Sequence, residues 1–200
     1  MPLSTTAIGC RVKSGWAMTV LLAGPVGSPR VLDRRRIELS DTSVPDTIQP
    51  YHAGLNAERT DAGTVEKLTR LVARCTQQEL AGLVRAYRAM GHQPTRIGIV
   101  VGSIVDPATI ANPHIRAHAQ EGRLFRTVVQ TAAKRLGIAS AVLVERELYA
   151  TAARTLGGSP VRIQRAATDL GRAVGRPWAA PEKTAVVAAW LALTGYRATR

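Results

Sequence analysis

Two hundred residues, 46% of them apolar, are enough to bury one sizeable core, which excludes a disordered chain and a small disulfide-stapled scaffold. No uncharged apolar run reaches about 18 residues, so no membrane span is expected, and the first residues lack the basic and apolar regions of a leader. A net charge of +13, from 27 basic and 14 acidic side chains, points toward a polyanion such as nucleic acid. All the basic residues except Lys13, Lys67, Lys134 and Lys183 are arginine. A GC-rich genome produces that bias too, although it does not explain why acids are scarce. With aromatics at only 4%, a stacking platform for single strands is poorly supported.

Residues 5–12 read as a strand with Thr6, Ile8, Cys10 and Val12 on one face. Lys13-Ser14-Gly15 is a tight turn, and 16–23 is a second strand with Trp16, Met18, Val20 and Leu22 on one face. GPVGSP at 24–29 is a turn, and 30–39 is a third strand. Three strands on short turns make an antiparallel meander. Residues 40–63 form a long connection, and loops of that length are often functional. A helical period spans 64–90 and stops at Gly91. RIGIVV at 96–101 is a strand buried on both faces. After a second long loop, 102–112, Asn112-Pro113 caps a helix that runs to 136. A fifth strand at 140–144 and helices at 147–156, 161–174 and 181–193 complete one domain over 1–200. Cys10 and Cys75 lack CxxC spacing and fall in a strand and a helix. They read as buried reduced thiols, which suits a reducing cytoplasm.

The order β-β-β-α-β-α-β-α with helical additions resembles the ribonuclease H-like superfamily. The opening IGCRVKSGWA resembles the glycine-containing first strand of its resolvase-like and actin-like members, and APEKTAVVAAWLAL resembles the last helix of resolvase-like members. The whole chain also looks like a bacterial family of this fold. The resemblance implies an α/β domain with a five-stranded mixed sheet, a three-strand antiparallel meander plus two parallel strands, flanked by helices. It also implies a reaction on two metal ions held by carboxylates. Here the expected residues are missing. Arg11 stands where the first strand would carry the bridging carboxylate, Gly102-Ser103 stand at the end of the fourth strand, and Glu182 matches the acid of the last helix only loosely.

The parallel strands would share one carboxyl edge, and both long loops would leave from it. Open sheets bind ligands there. His52, Asp106, His114, His118, Glu121 and Glu145 are therefore the candidate site residues, with Glu182 beside them. His114, His118 and Glu121 are spaced i, i+4 and i+7 on one helix face. That pattern suits a zinc-type metal, a metal-free anion pocket at the helix N-terminus, or simply a polar helix face. Arg116 and Arg123 either hold an anion or solvate the helix. Glu145 is either a site carboxylate, a helix cap or the partner of an arginine. In VRIQRAATDLGRAVGR, Arg162, Arg165, Asp169, Arg172 and Arg176 form one stripe. It is either a ridge that tracks a phosphate backbone or a solvated face.

No Walker-type loop, nucleophile elbow or Cys–His arrangement is present. Three functions remain open. One is a catalytically divergent ribonuclease H-like domain that binds nucleic acid through Arg162, Arg165, Arg172 and Arg176 or assists its processing. Another is a small-molecule or metal-dependent hydrolase-like protein with a His/Glu site and a divalent metal. The third is a non-catalytic interaction module, with a homodimer as one form.

Overall fold

The computed structural model describes residues 6–54 and 57–197; Thr5, the expected start of the first strand, lies outside them. The meander consists of β1 (Thr6–Lys13), β2 (Trp16–Ala23) and β3 (Arg30–Glu38). Gly15, at φ 80°, closes the two-residue turn between β1 and β2, where Lys13 pairs with Trp16. Parallel strands β4 (Pro94–Val101) and β5 (Ala139–Val144) extend the sheet on the other side of β1, giving the order β3-β2-β1-β4-β5. The mixed α/β sheet is the one the sequence implies.

Two helical layers cover it. Ile8, Cys10 and Val12 point from β1 into a core shared with α1 (Ala62–Ala89) and α2 (Pro113–Arg135). Ala7 points the other way, toward α3 (Leu148–Leu156), α4 (Pro160–Leu170) and α5 (Ala180–Leu193). Helix α5 is apolar nearly all round because it is enclosed by the sheet on one side and by α3 and α4 on the other. Its backbone lies directly on the strands. Gly9 and Gly98 face each other in the β1–β4 register. A Cβ on Gly9 would run into the Ala185 carbonyl, and one on Gly98 into the Ala188 carbonyl. The glycine of the opening motif is therefore a seat for the alanine-rich last helix.

Several boundaries differ from the sequence reading. Helix α1 begins two residues earlier, with the Asp61 side chain accepting from Gly63 N. Residues 145–147 form a 3-10 turn before α3. Helix α4 ends at Leu170 and tightens directly into a 3-10 turn over Gly171–Ala173, so the helical segment expected to 174 runs to 173 with a last turn that is not α-helical. Gly171 sits under the Trp178 indole, where no side chain would fit, and Trp178 Nε1 donates to Ala167 O at 2.8 Å. This clamp turns the chain. Arg172 falls in a 3-10 turn and pairs with Asp169 at 2.9 Å, and Arg176 lies beyond the turn. Exposed Arg162 and Arg165 alone share the helix.

Candidate metal centre

The two long connections leave the carboxyl ends of β3 and β4. The first is tightly hydrogen-bonded. Thr47 Oγ1 accepts from Asp41 N at 2.9 Å and donates to Val44 O at 2.6 Å, and Arg59 donates to Pro50 O at 3.1 Å and to Asp46 at 2.8 Å. His52 and Glu58 form an antiparallel bridge, flanked by Ala53 N to Ala57 O at 2.9 Å and Arg59 N to Tyr51 O at 2.7 Å. The Glu58 carboxylate clamps this small hairpin to α2 by taking a fork of N–H bonds from Arg116 at 2.5 and 3.1 Å. The guanidinium holds Glu58 below the usual carboxylate range, and Glu58 in turn raises Arg116. Arg116 also donates to Ile110 O at 3.0 Å. It is thus the tie between the two loops and the helix, and it is not available to a ligand.

Asn112 caps α2 by accepting from Ile115 N at 3.1 Å, with Pro113 in the first turn. That start places His114 and His118 one turn apart, and the clamped hairpin brings His52 against both. Ring centroids lie 5.2 Å apart for His52–His114, 4.4 Å for His52–His118 and 4.5 Å for His114–His118. One nitrogen from each ring falls within 4.8 Å of the others. Among the described residues no other group of three His, Cys, Asp or Glu side chains converges in this way.

Glu121 stands behind this trio. It is 1% exposed, and His52 Nδ1 donates to its Oε1 at 2.7 Å. With Nδ1 carrying the proton, the Nε2 lone pair of His52 is bare. That Nε2, His114 Nδ1 and Glu121 Oε2 are all buried without a hydrogen-bond partner, the nearest ionisable group to Glu121 Oε2 being His118 Nδ1 at 3.7 Å. Burial pushes the Glu121 carboxyl up, and the His52 hydrogen bond draws it partly back. Burial, with His52 and His114 close by, lowers His118 and so favours its neutral form. Neutral imidazole is the form that binds a metal.

The donor set fits a borderline ion such as zinc. Three imidazole nitrogens with an open fourth position, one imidazole backed by a carboxylate, is the pattern of a catalytic zinc site and its supporting shell. It does not fit magnesium or calcium, which take oxygen ligands.

The remaining expected site residues lie elsewhere. Asp106 caps a 3-10 turn by accepting from Ala108 N at 3.1 Å and is exposed. Glu182 is buried in the first turn of α5, where it accepts from Ala179 N at 3.1 Å. Glu145 is taken by Arg11, which donates Nε to Oε1 at 3.0 Å and pairs through Nη2 with Oε2. Arg11 is 2% exposed and also donates to the Val12 and Val100 carbonyls. A self-contained ion pair therefore fills the place where the resemblance implies a bridging carboxylate. Glu121, expected as a candidate ligand, lies behind the trio as the hydrogen-bond partner of His52, and His52 joins His114 and His118. The Glu58–Arg116 clamp escaped the sequence reading, because a pairing 58 residues apart has no local spacing to betray it.

Fold and site together define an α/β protein of the ribonuclease H-like fold with a three-imidazole centre at its carboxyl edge. Among solved structures the chain is similar to RuvC of Thermus thermophilus, with a TM-score of 0.58 and 10% identity over 96% of this chain and 97% of that one. It is also similar to T. thermophilus RuvC in complex with Holliday junction substrate, with a TM-score of 0.54 and 10% identity over 93% and 90%. At that identity the likeness establishes the fold. No protein family model matches the sequence, and no curated protein matches it.

Proposed function

We propose that residues 1–200 form one catalytically divergent ribonuclease H-like domain that works as a metal-dependent hydrolase-like protein. One transition-metal ion would be held by His52, His114 and His118. The observation that carries this reading is the convergence of three imidazole nitrogens on one point, with the Nε2 of His52 buried and unpartnered and its Nδ1 fixed by Glu121. Bound there, such an ion would supply Lewis acidity and a water acidic enough to react near neutral pH. The chain's own contribution is to hold three neutral donors in place. Glu121 fixes the His52 tautomer, and the Glu58–Arg116 clamp fixes the position of the hairpin. A reducing compartment such as the cytoplasm suits the two free thiols, and among the described residues no helix is long and apolar enough to cross a membrane.

The test is metal content. Protein loaded with zinc or cobalt and then desalted is expected to retain one ion per chain, with the cobalt form showing tetrahedral absorption. Retention well below one ion, or retention that His114→Ala leaves unchanged, would sink the reading.

The charge of +13 and the DNA-bound RuvC structure of the same fold favour a second reading, nucleic-acid binding. Its surface would be Arg162 and Arg165 on α4, with Arg172 in the 3-10 turn that follows and Arg176 beyond it. Salt-sensitive binding of a labelled oligonucleotide, weakened by Arg165→Glu with Arg172→Glu, is the expected result. No binding at low salt would remove it.

A further inference from the structure

Next to the three histidines, the carboxyl ends of β1 and β4 and the first half of α2 enclose a cavity of about 210 Å³. Pockets for drug-sized ligands run to roughly 300–1,000 Å³, so this space suits a small polar group and not a coenzyme. Arg11, Lys13, Arg123, Arg126 and His118 stand in its wall, and no carboxylate does. His118 is the residue shared with the metal centre.

The charges in this wall are unbalanced. Arg11 is neutralised by Glu145. Arg123 and Arg126 have no hydrogen-bond or ion-pair partner among the described residues, and neither does Lys13. The two arginines lie three apart on one helix, hence on one face, where like charges repel. Arg126 is half-buried, and burial together with Arg123 lowers its pKa. Both guanidinium groups line this one small cavity, Arg123 exposed and shared with the adjoining cleft that holds Asp106, Arg126 half-buried, and an anion would balance them. Three uncompensated cations suit a dianion better than a carboxylate. The guanidinium forks match the oxygens of a phosphate, and Lys13 adds a point charge.

We infer that this cavity is the subsite for a terminal phosphate, held by Arg123, Arg126 and Lys13 beside His118. The substrate class it implies is a phosphomonoester, either a small molecule or the phosphorylated end of a nucleic-acid strand. As a substrate subsite this rests on the three-histidine reading; as an anion site it stands independently.

The experiment titrates inorganic phosphate into metal-free protein at low salt. Saturable binding of one phosphate per chain is expected, and Arg123→Gln with Arg126→Gln should weaken it at least about tenfold. The charge-matched control, Arg85→Gln with Arg88→Gln at exposed positions of α1 outside the cavity wall, should leave it within about twofold, because exposed charges away from the cavity are screened. If the first double variant misfolds, Lys13→Gln at its exposed turn should still weaken phosphate binding with an unchanged circular dichroism spectrum. Two further ligands separate the sources. An oligonucleotide with a 5′-phosphate that outcompetes both its 5′-hydroxyl twin and glycerol 3-phosphate identifies a strand end. Equal competition by glycerol 3-phosphate and the phosphorylated strand identifies a small phosphomonoester. Absence of saturation, or equal weakening by both arginine pairs, overturns the subsite. His114→Ala keeps the two proposals apart: it should abolish metal retention and leave phosphate binding intact.

Discussion

At the carboxyl edge of the sheet, two polar clusters solve the problem of burial in opposite ways. Arg11 and Glu145 satisfy each other, and the spare N–H groups of Arg11 reach strand carbonyls. The cluster of His52, His114, His118 and Glu121 is left incomplete. Its one internal bond, His52 to Glu121, orients a ring whose other nitrogen has no partner. A buried polar atom without a partner costs about 1–3 kcal/mol. Several such atoms in one place call for an explanation, and a bound ion is one that would complete them. The ion pair is complete in itself, and on the metal-site proposal the histidines hold a ligand. Variants in one cluster should therefore change stability, and variants in the other should change binding.

The largest effect is expected from His114→Ala. It removes a donor from α2 at a half-buried position and should abolish stoichiometric metal retention while lowering thermal stability of the metal-free protein little. Loss of stability comparable to a core substitution would show instead that the histidines act as packing, and the contrast between the two clusters would collapse.

Next is Glu145→Gln, which leaves the Arg11 charge buried without its counter-charge. Removing one member of a fully buried pair costs about 3–5 kcal/mol. Because the Glu145 side chain is 38% exposed, about 2 kcal/mol is the expected loss in denaturant unfolding. Metal retention should not change. Adding Arg11→Met should recover most of the loss, since a buried pair replaced by apolar atoms is often neutral.

Smaller again is Glu121→Gln. The amide can still accept from His52 Nδ1 but no longer adds negative charge behind the ligand. Metal affinity should fall roughly 10- to 100-fold, the usual range for a residue that supports a ligand. An unchanged affinity in a competition titration would demote Glu121 to a core polar residue.

The fold was legible because its signals are local. Apolar alternation marks β1 and β2, Lys13-Ser14-Gly15 marks the turn between them, and the Asn112-Pro113 cap marks α2. The two i, i+4 histidines were legible for the same reason, since one helix carries both. What was hidden depends on long-range geometry. His52 was expected at this edge and an arginine was one expected partner of Glu145, but neither the Glu58–Arg116 tie that holds the His52 hairpin nor the identity of that arginine, Arg11, 134 positions away, has a local signal. Asp106 was expected at the same edge, but its own Pro-Ala-Thr sequence made it a turn cap. Only Arg176 falls outside the helical segment that carries the rest of the arginine stripe, and helical spacing could not register the indole packed over Gly171.

The smallest effect uses Cys10, which sits beside Arg11 on the opposite side of β1, in the core shared with α1 and α2, and so reports on opening of the sheet. Burial pushes its thiol up to about 12. At pH 8 only about one such thiol in ten thousand is ionised, and the thiolate is the reactive form. Cys75, on α1 and only partly buried, is raised less by its surroundings. Alkylation at pH 8 should therefore label Cys75 first, with Cys10 modified only through unfolding. Glu145→Gln should speed Cys10 labelling in proportion to its loss of stability, and His114→Ala should leave the rate unchanged, because emptying the histidine centre does not open the sheet. If His114→Ala accelerates Cys10 as much as Glu145→Gln does, the two clusters share one stability, and the division between a supporting pair and a binding centre fails.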